Sequence, residues 1–177
     1  FDSETIFTTC IGLNQIWANQ FMEIEKPGHF LLAGGAGPLG WDMPAAIGVK
    51  IAKPDTTVVN ITGDYGFQFC MEEFGLACQY NVPIVVVVVN NGMYGTIRMH
   101  QEKRFPGRVS ATGIHNPDFV ALAKSFGAHG ELVENTGAFA AASGPARARG
   151  QPALLELRTD PRPLPPGPGG LPRRRPR

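Results

Sequence analysis

The sequence predicts an α/β domain: a doubly wound parallel sheet with helices on both faces. Three observations predict it. Short apolar or β-branched runs alternate with segments long enough for one helix each, the pattern of successive βαβ units. One run, Ile84 to Val89, is apolar at every position, as in a parallel strand buried on both faces. Two such runs end in polar turns, Gly63-Asp64-Tyr65-Gly66 and Asn90-Asn91-Gly92. Open α/β sheets bind ligands at the carboxyl ends of their strands, and the Asp64/Asn91 oxygen pair suits a hard cation carrying a phosphate.

Length and composition set the frame. The 177 residues, 43% hydrophobic, suffice for one domain with its own core. That domain is expected over residues 1–160. Residues 161–177 are rich in Pro, Gly and Arg and carry no acid, which reads as a disordered tail. The rest of the chain holds more acidic than basic side chains, so no nucleic-acid footprint is expected. The Ile84–Val89 run is far short of the roughly 20 apolar residues of a membrane helix; no membrane partner is expected. Cys10, Cys70 and Cys78 are odd in number and lack CxxC spacing. They read as buried free thiols of a cytoplasmic protein. No signal-peptide pattern precedes the first strand, and a first residue of Phe1 reads as a fragment of a longer chain.

In order, residues 7–11 predict a short strand ended by Gly12. Asn14 is the expected N-cap of a helix carrying Ile16, Trp17, Phe21 and Met22. Residues 30–33 predict a buried strand running into a glycine-dense loop, residues 34–40, which is either a ligand-binding loop or a plain turn. Pro44 opens a helix of small residues that ends at Lys53-Pro54-Asp55. Residues 57–62 form the strand feeding Asp64. Residues 67–80 predict one amphipathic helix with Phe67, Met71, Phe74, Ala77 and Cys78 facing the core. Adjacent Glu72 and Glu73 point about 100° apart on such a helix, which suits a solvated or interface role rather than paired acid/base work.

After the strand at 84–89, residues 94–108 are polar and predict an irregular loop, a lid over a site or a solvated connection. Asn116-Pro117-Asp118 reads as N-cap, first-turn proline and first-turn acid of a helix with Phe119, Leu122, Ala123 and Phe126. A short strand is expected at 127–133. Thr136 is the expected cap of an alanine-rich helix that Gly144-Pro145 should break or shorten, and a last strand falls at 153–158.

The joint order Gly37-Pro38-Leu39-Gly40, Pro44-Ala45-Ala46-Ile47-Gly48, Gly63-Asp64, a helix and Asn90-Asn91 resembles the C-terminal diphosphate-binding domain of thiamine-diphosphate enzymes of the acetolactate synthase group. The resemblance covers residues 7–160. It implies Mg²⁺ held by Asp64, Asn91 and the backbone carbonyl of Met93. It implies that Tyr65 and Gly66 offer backbone N–H groups to the diphosphate, with Gly12, Leu13 and Asn14 touching it from the other side. The carbonyl of Gly37 would accept from the aminopyrimidine, and Leu39 would hold the cofactor bent beneath its thiazolium. Gly63, Tyr94 and Gly95 complete the implied cofactor contacts.

Two features depart from the group's usual pattern. Tyr65 stands where a third glycine is usual, and Pro38-Leu39 where Thr-Met is usual. Both bring the chain closer to glyoxylate carboligase (tartronate-semialdehyde synthase). The implied activity is that of an acetolactate-synthase-like carboligase or decarboxylase of 2-oxo acids, with glyoxylate carboligase the sharper alternative. A non-catalytic phosphate-binding α/β module, with Asp64 and Asn91 merely capping helices, is the rival class.

In the family, the glutamate that activates the cofactor lies on a separate N-terminal domain. No catalytic residue is therefore expected in this chain, which alone would be inactive. The resemblance also implies a homodimer or homotetramer with the site between subunits, apolar surface exposed toward the absent domains, and FAD as an option in the full-length protein.

Overall fold

The computed structural model describes residues 1–161, so the expected tail lies outside the described residues from 162 onward. The elements are β1 (Ile6–Thr9), α1 (Leu13–Phe21), β2 (Phe30–Leu32), α2 (Asp42–Ala52), β3 (Val58–Gly63), α3 (Asp64–Gln68) and α4 (Met71–Gln79). Then follow β4 (Val85–Asn90), α5 (Gly95–Arg104), α6 (Phe119–Ser125), β5 (His129–Val133), α7 (Thr136–Ala148) and β6 (Ala153–Arg158). All six strands join one parallel sheet in the order β2-β1-β3-β4-β6-β5. Helices cover both faces, as the sequence predicts.

Alternation along each strand builds two cores. Val86, Val88, Leu154 and Val58 face one side, against Met43, Ala46 and Ile47 of α2, Phe67, Phe74, Ala77, and Phe119 and Ala123 of α6. Val85, Val87, Val59 and Leu155 face the other, against Ala142 and Ala146 of α7. The valine run thus serves both cores, because successive side chains of a strand point to opposite faces. Phe67 is the hinge of the first core: its ring meets Phe119 edge-on at 5.5 Å and Phe74 at 6.0 Å.

The structure corrects several sequence expectations. The helix expected over 67–80 is two helices, α3 and α4, parted at Phe69 and Cys70. Cys70 turns inward, its thiol donating to the Gly66 carbonyl (3.5 Å), while Met71 is exposed rather than on the core stripe. The polar stretch expected as a loop contains α5. It lacks an apolar stripe because it does not pack into the core; the Arg98–Glu102 pair at 2.7 Å supports it instead, with Lys103 and Arg104 in its last turn. β2 is half-buried rather than buried, since it lies at the sheet edge.

Three caps fall elsewhere than expected. Gly12, not Asn14, precedes α1. Asp118 caps α6 by accepting from Ala121 N (2.8 Å), leaving Asn116 free for other work. Asn135, not Thr136, caps α7. Helix α7 also continues through Pro145, with Ala142 and Ala146 holding both of its halves against the sheet.

Candidate cofactor site

The carboxyl ends of β3 and β4 and the start of α1 enclose a cavity of about 430 Å³. Gly12, Leu13, Asn14, Leu39, Gly63, Asp64, Tyr65, Gly66, Asn91, Met93, Tyr94 and Gly95 all line it. Gly37 is the one expected residue that does not. It sits behind Ile11, whose side chain would lie 3.6 Å from a Cβ at position 37. Trp17, Thr96 and Ile97 also line the cavity and carried no sequence signal beyond helical spacing.

Glycines make the approach. Gly12 has φ 151°, a backbone open only to glycine, and a Cβ there would lie 2.3 Å from Asn14 Oδ1. A Cβ on Gly66 would strike Cys10 Sγ at 2.6 Å and Thr62 Oγ1 at 2.9 Å. A Cβ on Gly95 would meet Leu13 Cδ1 at 2.4 Å. Helix α3 begins at Asp64 after Gly63, which provides no side-chain cap, and its first-turn residues Asp64, Tyr65 and Gly66 line the cavity.

Asn14, buried beneath this wall, is a brace. Its Nδ2 donates to Thr9 Oγ1 (3.1 Å), the Cys10 carbonyl (3.2 Å) and the Ile61 carbonyl (3.2 Å). Tyr65 adopts ordinary helical backbone, since among the described residues Asn81 and Ala111 are the only non-glycines with positive φ. Its ring stands edge-on to Tyr94 (4.7 Å) and Phe69 (5.3 Å). Its N–H, expected to face a diphosphate, is already engaged by Asp64 Oδ1 at 2.9 Å. Hydrogen bonding to Tyr65, with burial adding, pushes the Tyr94 hydroxyl up to about 12.

Asp64 is buried, and burial pushes its carboxyl above the ordinary value, opposed by hydrogen bonds from Asn116, Tyr65 and Gly92. Oδ2 accepts from Gly92 N and Asn116 Nδ2, both at 2.8 Å. With Tyr65 N on Oδ1, three of the roughly four acceptor positions of a carboxylate are taken, and one is left open. Among the described residues Asn91 Oδ1 accepts only from Met93 N (3.2 Å), which likewise leaves a lone pair. Asp64, Asn91 and the Met93 carbonyl are all hard oxygen donors, the chemistry that Mg²⁺ prefers when phosphate supplies the remaining ligands. Among the described residues, no three His, Cys, Asp or Glu side chains group to hold a metal by themselves. The donor set and the glycine-lined approach therefore fit a cation that arrives with a diphosphate.

Sequence reasoning missed the layer behind Asp64. Asn116, Asn90, Gln68 and Glu156 form a hydrogen-bonded chain there. The Asn-Pro-Asp signature at 116–118 pointed to a cap, and a cap and a distant donor look alike in sequence. Cys10, Cys70 and Cys78 are free thiols. Burial is the leading cause that raises each of them, Cys10 to about 11, which favours the neutral thiol. No helix among the described residues is long and apolar enough to cross a membrane.

Comparison with known proteins agrees with this geometry. Residues 10–157 match the family described as thiamine pyrophosphate enzyme, C-terminal TPP binding domain. The chain is 35% identical over 161 residues to a probable acetolactate synthase large subunit of Methanococcus aeolicus, covering 90% of this chain and 27% of the relative. It is 36% identical over 132 residues to the acetolactate synthase isozyme 2 large subunit of Escherichia coli, covering 74% and 24%. Among solved structures, the Rhodococcus jostii thiamine diphosphate-dependent 4-hydroxybenzoylformate decarboxylase superposes with TM-score 0.80 at 28% identity, over 90% of this chain and 30% of that one. The chain thus spans about a quarter of the length of the acetolactate synthase relatives it matches. With its parallel sheet, its glycine-lined cavity and a match over nearly the whole described chain, this chain belongs to the family of C-terminal TPP-binding domains of thiamine pyrophosphate enzymes.

Proposed function

We propose that this domain anchors Mg²⁺ and the diphosphate of thiamine diphosphate within a longer enzyme that decarboxylates a 2-oxo acid and joins the product to a second carbonyl. Acetolactate synthase is the nearest description of that activity. The observation that carries the proposal is the pairing of Asp64 and Asn91. Each keeps an open oxygen acceptor position on one cavity, beside the uncapped start of α3. Bound thiamine diphosphate supplies the carbanion-stabilising chemistry.

The chain's own residues position and enclose. Asp64, Asn91 and the Met93 carbonyl hold the cation. Gly63, Gly66 and Gly95 let backbone approach the diphosphate, with Tyr65 and Tyr94 walling it, while Gly12, Leu13 and Asn14 close the opposite side. Leu39 would support the cofactor from the cavity wall, and the Gly37 carbonyl would accept from its aminopyrimidine from the loop behind Ile11. Residues 1–160 act as one domain, and activation of the cofactor falls to a segment outside this chain. That segment comes from a second copy in a homodimer or homotetramer. Exposed apolar side chains beside and along α4, including Phe69, Leu76 and Tyr80, support such a covered face. The free thiols support a reducing, cytoplasmic setting. A flavin is no part of the proposal.

The test is thermal unfolding of the full-length protein. Thiamine diphosphate at about 100 times its dissociation constant should stabilise it by about 2.7 kcal/mol, only with Mg²⁺ present, and the effect should vanish in Asp64→Ala. Absence of any stabilisation at saturating cofactor overturns the proposal. Product analysis then separates acetolactate formed from pyruvate from tartronate semialdehyde formed from glyoxylate.

A further inference from the structure

Behind the cation ligands a line of half-buried amides runs from β6 and β4 to the segment before α6 and to α3. At its far end is Glu156 on β6, 3% exposed. Its Oε1 accepts from Asn90 Nδ2 at 2.8 Å and from Arg158 Nε at 3.5 Å. A carboxylate only accepts, so it fixes which way the Asn90 amide points. The Asn90 oxygen is thereby turned toward Gly92 N (3.1 Å) and Asn116 Nδ2 (2.8 Å). Asn116 is fixed in turn, because its Oδ1 accepts from Gln68 Nε2 at 2.9 Å. Its remaining donor position meets Asp64 Oδ2 at 2.8 Å. Reversing the Asn116 amide would set its oxygen against both Asp64 Oδ2 and Asn90 Oδ1, two acceptors. Each orientation thus follows from the one before it, and together they settle which oxygen of Asp64 remains open.

We infer that Asn116 is a positioning residue for the cation. By saturating Asp64 Oδ2 together with Gly92 N, it directs Oδ1 to the metal. The inference rests on Asp64 being a cation ligand, as proposed above. Asn116 sits in the segment leading into α6 and belongs to neither strand turn. Its side chain reaches Asp64 itself, beyond the backbone bonds that already join the segment to the turn, from Ile114 N to the Gly92 carbonyl (2.9 Å) and from Tyr94 N to the Thr112 carbonyl (2.8 Å). Outer partners of metal ligands hold the ligand's orientation, and their loss weakens metal binding about 10- to 100-fold.

The test uses the full-length protein with thiamine diphosphate and Mn²⁺ as probe ion, its binding read by electron paramagnetic resonance. Asn116→Ala and Asn116→Ser, two variants in case one fails to fold, should weaken Mn²⁺ about 10- to 100-fold and change the spectrum of the bound ion. The Mg²⁺ concentration for half-maximal activity should rise by a similar factor, with kcat at saturating Mg²⁺ largely kept. A lowered melting temperature with unchanged Mn²⁺ affinity and spectrum would show that Asn116 only braces its loop, and would overturn the inference. If the unaltered protein binds no Mn²⁺ with thiamine diphosphate, the functional proposal fails first and takes this inference with it.

Discussion

The Asn14 side chain donates to the Ile61 carbonyl at 3.2 Å, tying α1 to the central strand just before Gly63. The same nitrogen serves Thr9 Oγ1 and the Cys10 carbonyl, so one buried amide pins the end of β1 to β3 beside the cavity. Asn14→Ala would leave these acceptors without that donor, at a cost of about 1–3 kcal/mol. Denaturant unfolding with unchanged m-value should show that loss. A midpoint equal to that of the unaltered protein would refute the bracing role.

Gly66 leaves no room for a side chain. Gly66→Ala would place a methyl 2.6 Å from Cys10 Sγ and 2.9 Å from Thr62 Oγ1, both buried and both already in contact with each other at 3.4 Å. Overpacking of this kind costs about 1–3 kcal/mol. Displacement of α3 should also reduce the thermal protection given by thiamine diphosphate. An alanine variant that melts and binds like the unaltered protein would contradict the close packing described.

Tyr65 contributes its ring, not a special backbone. Tyr65→Gly removes the edge contacts with Tyr94 and Phe69 and places glycine inside α3, at a cost near 1 kcal/mol from helix propensity alone. The melting temperature should fall while the Mg²⁺-dependent protection persists, because Asp64 and Asn91 keep their positions. Loss of protection in this variant would assign Tyr65 a direct part in holding the cofactor.

Asp42 makes stability depend on pH. It is fully buried, its Oδ2 accepting from Asn60 Nδ2 at 2.8 Å and its Oδ1 without a geometric hydrogen-bond partner among the described residues. Burial raises its carboxyl above the ordinary 3.8, opposed by hydrogen bonds from Asn60 and Thr62. The folded state thus prefers the protonated form. Its contribution is fully present below pH 3.8 and is lost as pH rises through the higher folded value. Asp42→Asn should remove that loss, so the variant gains on the unaltered protein as pH increases. Unfolding free energies measured across the acid to neutral range would disprove this if their difference did not change with pH.

The strands were legible because continuous apolar runs have few other uses. Residues 153–158 form β6 as expected, and the valine run forms β4 with only a small shift. The turns that line the cavity were legible for a related reason, since Asp64 and Asn91 follow those runs directly. Asn14 and Asn116 misled because asparagine before a helix signals a cap, whereas here each spends its amide on partners far along the chain, Ile61 and Asp64. Helix α5 was hidden by its polarity: no apolar stripe is needed where a helix does not enter the core. The break between α3 and α4 has no glycine or proline to announce it, and arises from the inward turn of Cys70.

The sheet order carries a consequence for how the domain forms. β6 lies between β4 and β5, although both of those precede it in the chain. During synthesis β5 therefore has no strand to pair with until β6 has left the ribosome. Until then β4 presents an open edge that is apolar from Val85 to Val89. Non-local pairing of this kind is slow and exposed to aggregation. Glu156, the residue that sets the amide chain behind Asp64, arrives with that same final strand, so the metal site and the closed sheet are completed in one late event.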